Sequence, residues 1–451
     1  MSAESKGPPR IDTTRIFARH PYAREILRRL EGAGHDAVLI GGVVRDLLLA
    51  QLEGREWQPK DIDIATSARP EEIKEIFKDW RAVEVGEAFG VLRLVAPDGQ
   101  GYEVATFRVE SEYDGRWPGR VALVRDLEGD IRRRDLTING LAAREDGRVI
   151  DLVGGVEDLK RRIIRAIGDP DERFREDYLR MLRAIRVACQ LGGRLDPETA
   201  AAIRRNSEKI LKISWERIRD ELWRVLETEH TARGVRLLEE HGLLERILPE
   251  LEKAKGVKQP EKYHPEGDVY THTLLALEVA DRLKFGPLVK LAVLLHDIGK
   301  PRALKKNEGE NMAGHEVIGE RMAGEICRRL RLSNEQTGTV KYLVQQHMRV
   351  AKLPEMARAR QIRLIKEGED YERDFADFRR RFPLFSQLLQ VLIADCEASV
   401  HRSSGWLPVF QAAVELLPEI KRLEELEAAR KLLDGHDILE LGVEEGPEVG
   451  R

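Results

Sequence analysis

The sequence predicts an α+β protein: a mixed sheet with helices near the N-terminus, followed by regions built of helices alone. Three observations carry this. Apolar strand-like runs, AVLI, VLRLVA and YEVATFRV, alternate with helical spacings up to about residue 150. From about 156 no strand pattern recurs, and glycine and proline punctuate helix after helix. The polar, proline-bearing stretch EKAKGVKQPEKYHPE at 252–266 then interrupts the helices. These signals place an α/β region at 20–155, a first helical region at 156–262, a second at 263–415 and a short helical tail at 416–451. A length of 451 residues accommodates several domains, each with its own core.

Taken in order, YAREILRRLE (22–31) has helical spacing and is stopped by Gly32 and Gly34 before the strand AVLI. Gly41-Gly42 ends that strand, and Arg45 lies near the start of the next helix. A second strand, in KDIDIAT, carries Asp61 and Asp63. Pro70 opens the helix EEIKEIFKDW, after which the strands AVEVG, VLRLVA and YEVATFRV follow. Between a strand ending at Val109 and one beginning at Val121, SEYDGRWPGR reads as a glycine-rich, charged loop. Pro170 opens a helix, DERFREDYLRMLRAIRVA.

Composition narrows the function classes. A net charge of −4 gives no global basic signature, so contact with nucleic acid must come from local clusters of Lys and Arg. Three cysteines, Cys189, Cys327 and Cys396, without CxxC spacing, suggest neither a disulfide framework nor a thiolate zinc site. No apolar run approaches the roughly 20 residues needed to span a bilayer, and the N-terminus lacks a signal-peptide core. The expectation is a cytoplasmic protein with no membrane partner.

Alternate strand residues share a face, so Asp61 and Asp63 point at one spot, as a metal-dependent phosphoryl-transfer site requires. Gly41 and Gly42 let backbone N–H groups approach a polyphosphate, and Arg45 supplies counter-charge. By itself the Asp pair fits a solvated strand end equally well. Glu103, on a neighbouring strand, is a candidate third carboxylate. The run IRRRDLTING sets Arg132, Arg133 and Arg134 beside Asp135, a cluster suited to a triphosphate. Asp177, Arg180, Arg183 and Arg186 recur at steps of three, roughly along one helical face. A carboxylate only accepts and a guanidinium only donates. Cytosine and adenine each present an amino donor beside a ring-nitrogen acceptor, so an Asp177–Arg180 edge fits both and mismatches uracil and guanine.

GGVVRD, KDIDIAT, TFR, RRDLTING, DLVGGVEDLKRRIIR, REDYLRMLRAIR and ERIRDEL occur in the order found in class II tRNA nucleotidyltransferases and bacterial poly(A) polymerases. The resemblance covers roughly residues 20–260. It implies a polymerase-beta-like nucleotidyltransferase head followed by a helical neck and body, and nucleotide addition to RNA 3′ ends from CTP and ATP without a nucleic-acid template. Under it Asp61 and Asp63 bind Mg²⁺, Gly42, Arg45 and Arg134 hold the triphosphate, and Asp177 with Arg180 serves as the protein template. Arg183 and Arg186 support that template or contact phosphate, while Glu216 and Arg217 brace the neck. VGEAFGVLRL (85–94) resembles the branch that adds CCA to tRNA more than the poly(A) polymerases. Poly(A) tailing stays an alternative.

The second helical region carries DVYTHTLLALEVA, LAVLLHDIGKP, GHEVIGERMA, LVQQHMRV and VLIADCEAS. Imidazole and carboxylate are ordinary ligands for divalent metals. His272, the pair His296-Asp297 and Asp395 resemble the HD phosphohydrolase superfamily over roughly 265–415, an all-α domain. His315 and His347 match histidines that some members use for a second metal or for phosphate. The resemblance implies a divalent metal of unspecified identity and hydrolysis of an RNA 3′-phosphate or 2′,3′-cyclic phosphate. A chain in which only this hydrolase is active, the head serving to recruit RNA, is a further alternative. The tail resembles the C-terminal GxDL and GP segments of the nucleotidyltransferases.

Overall fold

A computed structural model describes residues 9–57, 59, 61–86, 90–114, 117–261, 264–366, 383–399 and 404–430. The middle of VGEAFGVLRL and the GxDL/GP tail lie outside them. Contacts divide the chain into two compact units, Met1–Pro249 and Glu250–Arg451.

In the first unit, apolar residues set the layers. Ala23, Ile26, Leu27 and Leu30 recur at steps of three and four and are the buried stripe of the helix Pro21–Gly32. β1 (Ala37–Ile40) is buried along its whole length, as a central strand covered on both faces must be. β2 (Asp63–Thr66), β3 (Arg81–Gly86), β4 (Val91–Val95) and β5 (Gly101–Thr106) follow. β6 (Arg108–Asp114) and β7 (Trp117–Leu123) pair antiparallel as a separate ribbon. β8 (Ala142–Ala143) and β9 (Val149–Ile150) complete a seven-stranded sheet of order β3-β4-β5-β2-β1-β8-β9. That sheet is mixed: β2 runs parallel to β5 and antiparallel to β1. Val38, Ile40, Ala65, Phe107, Leu127, Ile131 and Ala142 form one core beneath it. Burying each valine, leucine, isoleucine or phenylalanine among them stabilises by about 1.5–3 kcal/mol, and each alanine by less.

Alternation decides what the sheet presents. Leu92, Leu94, Tyr102 and Val104 are buried on one face of β4 and β5, which puts Arg93, Gly101 and Glu103 on the other.

Four sequence expectations are corrected. Asp61 precedes β2, which begins at Asp63, so the two aspartates do not both lie on a strand. SEYDGRWPGR is not a loop: its described residues extend β6 and β7 as a hairpin whose cross-strand pairs include Ser111 with Arg120 and Asp114 with Trp117. Strand pairing satisfies backbone groups that a loop would leave to water. The helical region is not free of strands, since β10 (Ile163–Ile164) and β11 (Arg194–Leu195) pair in parallel. The segment after Pro170 is not one helix. It breaks at Asp177, whose extended backbone separates Pro170–Glu176 from Leu179–Gln190.

In the second unit, helices Val269–Arg282, Pro287–Leu295, His315–Arg329, Asn334–Val350 and Pro383–Ala398 pack around a shared apolar core. Sequence signals fix their starts: Asp268 accepts from the Thr271 amide at 2.7 Å, Pro287 opens its helix, and Ser333 with Gln336 forms a reciprocal cap. No helix among the described residues is long and apolar enough to cross a membrane.

Candidate active sites

The first site is a cleft of about 470 Å³ in the first unit, within the range of small-ligand sites. Gly41, Gly42, Arg45, Asp63, Arg134, Asp177, Arg180, Arg183 and Arg186 all line it, so residues far apart in sequence meet in one place. Gly41 has φ +80°, a conformation that favours glycine, and a Cβ there would stand 3.2 Å from an Arg134 nitrogen. The helix Gly42–Glu53 begins at the cleft, so its unsatisfied amides face it.

The arginines arrive already paired. Arg133 and Arg134 both bind Asp130, which is 1% exposed, at 2.6 and 3.1 Å. Burial works to raise the Asp130 pKa, but the two guanidinium groups hold it below its ordinary value. Arg183 binds the buried Asp135 at 2.7 Å, and Asn139 donates to the same carboxylate at 3.0 Å. Against the opposing effect of burial, Arg183 keeps Asp135 ionised well below the usual carboxylate range. Arg186 binds the buried Glu221 at 2.5 Å. Arg45 is itself buried and donates to Asp46 at 2.7 Å and to Asn139 at 2.6 Å. Asp130, Asp135, Asn139 and Glu221 were not singled out as site residues from sequence. Their only signal was proximity to the arginines of IRRRDLTING and ERIRDEL.

Asp177, at the helix break, accepts from Arg217 at 3.1 and 2.6 Å and from the Leu179 amide at 3.1 Å. The break turns its carboxylate toward Arg217. Arg180 donates to Glu176, to the Arg173 carbonyl at 3.2 Å and to the Arg133 carbonyl at 3.3 Å. A guanidinium has five N–H donors and a carboxylate about four acceptor positions, so both keep capacity for a ligand.

Next to this cleft, Asp61, Asp63 and Glu103 line a second hollow of about 310 Å³. Parallel register sets Asp63 beside Glu103. Asp63 has its pKa raised, first by the partial loss of hydration around its carboxylate and then by Glu103 and Asp61, against the pull of Arg134. Three carboxylate donors that repel one another suit a hard divalent cation with oxygen ligands.

The second site lies in the second unit and is buried. His296, Asp297 and His347 are each at most 2% exposed and His272 is fully enclosed. Backbone carbonyls fix three imidazoles: His296 Nδ1 meets the Val293 carbonyl at 2.7 Å, His347 Nδ1 that of Val344 at 2.6 Å, and His315 Nδ1 that of Met312 at 3.0 Å. Each therefore turns Nε2 inward with a lone pair available. His272 is oriented instead by Glu266, 2.7 Å from its Nδ1, with Asp395 3.1 Å from its Nε2.

Asp297 divides its oxygens. Oδ2 stands 3.2 Å from His296 Nε2 and 3.9 Å from His272 Nε2, and Oδ1 stands 3.4 Å from His315 Nε2 and 3.8 Å from His347 Nε2. Among the described residues, two groupings thus converge closely enough to hold an ion, His272-His296-Asp297 and Asp297-His315-His347, with a third of His264, Glu266 and His272 adjoining. Buried His296 Nε2 makes no hydrogen bond of good geometry and faces Asp297 Oδ2, which also meets the Lys300 ammonium. The donor set of imidazole and carboxylate fits a divalent metal.

Sequence reasoning missed Lys300, which binds Asp297 Oδ2 at 2.6 Å and Gln259 at 2.6 Å. Gln259, His264 and Glu266 also escape a reading by sequence, because 252–266 has the polar, proline-bearing composition of a boundary segment. Their signal was the density of polar side chains in KQPEKYHPE, just before the first metal-type histidine.

A carboxylate-bearing mixed sheet beside an arginine-lined cleft defines a nucleotidyltransferase head, and residues 37–165 match the poly A polymerase head domain. Residues 194–255 match the domain described as a probable RNA and SrmB binding site of polymerase A, and 269–374 match the HD domain. The chain belongs to the CCA-adding enzyme and poly(A) polymerase family, in the form that carries a C-terminal HD domain. It is 49% identical over 214 residues to the CCA-adding enzyme of Levilactobacillus brevis, covering 47% of this chain and 52% of that one. With the CCA-adding enzyme of Limosilactobacillus reuteri it shares 41% identity over 274 residues, 59% of this chain and 66% of the relative. The chain thus matches only about half to two thirds of these relatives' length. The crystal structure of Bacillus stearothermophilus CCA-adding enzyme in complex with CTP aligns with a TM-score of 0.55 at 28% identity, covering 95% of this chain and 89% of that one. The Thermotoga maritima CCA-adding enzyme complexed with tRNA has the same fold, at TM-score 0.57 and 20% identity over 98% of this chain and 90% of that one.

Proposed function

We propose that the chain adds CCA, or part of it, to tRNA 3′ ends from CTP and ATP without a nucleic-acid template. We further propose that its HD centre hydrolyses phosphate at RNA 3′ ends. The observation that carries the first reading is the meeting of Asp177 and Arg180 with Gly41, Gly42, Arg45 and Arg134 in one cleft. A selector for the base edge and a cradle for the triphosphate then lie within one nucleotide's reach.

Under this reading, the amides opening Gly42–Glu53 and the guanidinium groups of Arg45 and Arg134 seat the triphosphate. Asp177 accepts from the amino group of C or A while Arg180 donates to the ring nitrogen. U and G reverse that polarity and leave buried groups unpaired. Asp61, Asp63 and Glu103 would hold Mg²⁺, which when bound supplies a Lewis acid for the attacking 3′-hydroxyl and the departing pyrophosphate. Asp130 and Asp135 keep the arginines in place, so little reorganisation is needed as charge develops.

At the HD centre, His272, His296, Asp297, Asp395, His315 and His347 are the proposed ligands, and the metal would supply an activated water. Lys300, held at Asp297 by a 2.6 Å contact, offers a cation to a phosphate there.

The test uses tRNA lacking its CCA end, offered CTP, ATP or both, with product length read at single-nucleotide resolution. CC from CTP alone and CCA from both supports the reading. A long A ladder overturns it in favour of poly(A) tailing. For the HD centre, RNA ending in 3′-phosphate or 2′,3′-cyclic phosphate should release phosphate or open its ring with at least one divalent metal, and no such product with any metal overturns the second activity.

A further inference from the structure

We propose that the hollow bounded by Arg93, Gln100, Gly101, Tyr102 and the carboxylates is the seat of the RNA acceptor's 3′ end. Arg93 would grip its last phosphodiester. This rests on the nucleotidyltransferase reading and adds a residue to it.

The two cavities share one lining residue, Asp63. In an in-line transfer the attacking hydroxyl and the departing pyrophosphate lie on opposite sides of the reacting phosphorus. If the arginine-lined cleft takes the triphosphate and base, the acceptor must enter from the other side of Asp63, where the second hollow lies. Asp61, Asp63 and Glu103 in its lining repel RNA phosphates, so seating an acceptor there calls for a cation beside them. Arg93 lines the same hollow. It is exposed, and register places it directly across from Glu103 on the same sheet face as Gly101.

Arg93 also differs from most arginines of the neighbouring cleft. Arg45, Arg133, Arg134, Arg180, Arg183 and Arg186 each contact a carboxylate. Arg93 has no hydrogen bond or ion pair among the described residues, although Glu103 is its cross-strand neighbour. Its guanidinium lies instead over Gly101, where a Cβ would collide with it. A glycine thus leaves the room that keeps this cation low in the hollow, with its five donors open to a phosphate.

Two variants test this. Arg93→Ala removes the cation. Gly101→Ala keeps it but displaces it, and because the colliding atoms are the end of a flexible side chain, the fold is retained. Initial rates are measured against acceptor at saturating CTP, and against CTP at saturating acceptor. The expected result is a roughly tenfold or greater rise in KM for the RNA in Arg93→Ala, a smaller rise in Gly101→Ala, and a KM for CTP within about twofold of the parent. Arg93→Lys restores part of the loss. The slope of log affinity against log salt for RNA should fall by roughly one phosphate contact. An unchanged KM for RNA, or a rise confined to CTP, overturns the assignment while nucleotide addition by the parent protein stands. A parent protein that transfers no nucleotide overturns the functional reading itself, and the acceptor seat with it.

Discussion

The two sites organise charge in opposite ways. In the head the carboxylates face solvent, and the cleft arginines are held by acids set beneath or beside them: Asp130 under Arg133 and Arg134, Asp135 under Arg183, Glu221 beside Arg186. In the HD centre three imidazoles are locked through Nδ1 to backbone carbonyls three residues earlier in the chain, and the ligand atoms are enclosed. Ion pairs can be exchanged for bonds to a charged ligand, whereas a backbone-locked imidazole has one useful direction. That difference suits the proposed functions, in which the head exchanges a large anion and the HD centre retains a small cation.

The largest effect that tests this contrast is loss of a head carboxylate. Asp63→Ala should lower nucleotide addition by about 10²–10³-fold or more while leaving phosphate release at the HD centre unchanged. Nucleotide incorporation and phosphate release from one preparation check it, and a parallel loss of both would break the contrast. Glu266→Gln comes next. It loosens His272, so affinity for a divalent ion, read by calorimetric titration, should fall about 10–100-fold with CCA addition intact.

Arg217→Ala probes the head's adjustable pairs. Removing two charged hydrogen bonds from Asp177 leaves the proposed selector free to turn, and KM for CTP should rise about tenfold with more misincorporation, read by product sequencing. If incorporation is unaltered, Asp177 needs no brace.

The smallest effect is a pH dependence. Asp135 has a folded pKa below its unfolded value, which is near 3.9. Its contribution to stability is therefore fully present above about pH 4 and is lost only as pH falls through the depressed folded value. Denaturant midpoints of the parent and Asp135→Asn should differ equally at pH 7 and pH 5, with the gap narrowing only in stronger acid. A gap that already narrows between pH 7 and 5 would mean that Arg183 does not hold Asp135 ionised.

Local spacing made part of this protein legible in its sequence. AVLI before Gly41-Gly42, the Asp61/Asp63 pair, the arginine run before Asp135 and the adjacent His296-Asp297 are short-range patterns, set by strand and helix periodicity and by which side chains bear charge. Their order along the chain identified the family and its α+β architecture. What sequence spacing could not give was each charge's counter-charge. Asp130 under two arginines, Asp177 turned to Arg217 by a helix break, and Glu266 behind His272 depend on elements brought together by packing. The hairpin β6–β7 escaped for a related reason: glycine, proline and charge read as loop, and cross-strand bonding overrode that local preference. Arg93 was legible as one more strand arginine. Only the register that sets it opposite Glu103, with Gly101 beneath it, distinguishes it from the cleft arginines that contact acids, because pairing is a property of three-dimensional neighbours and not of residue type.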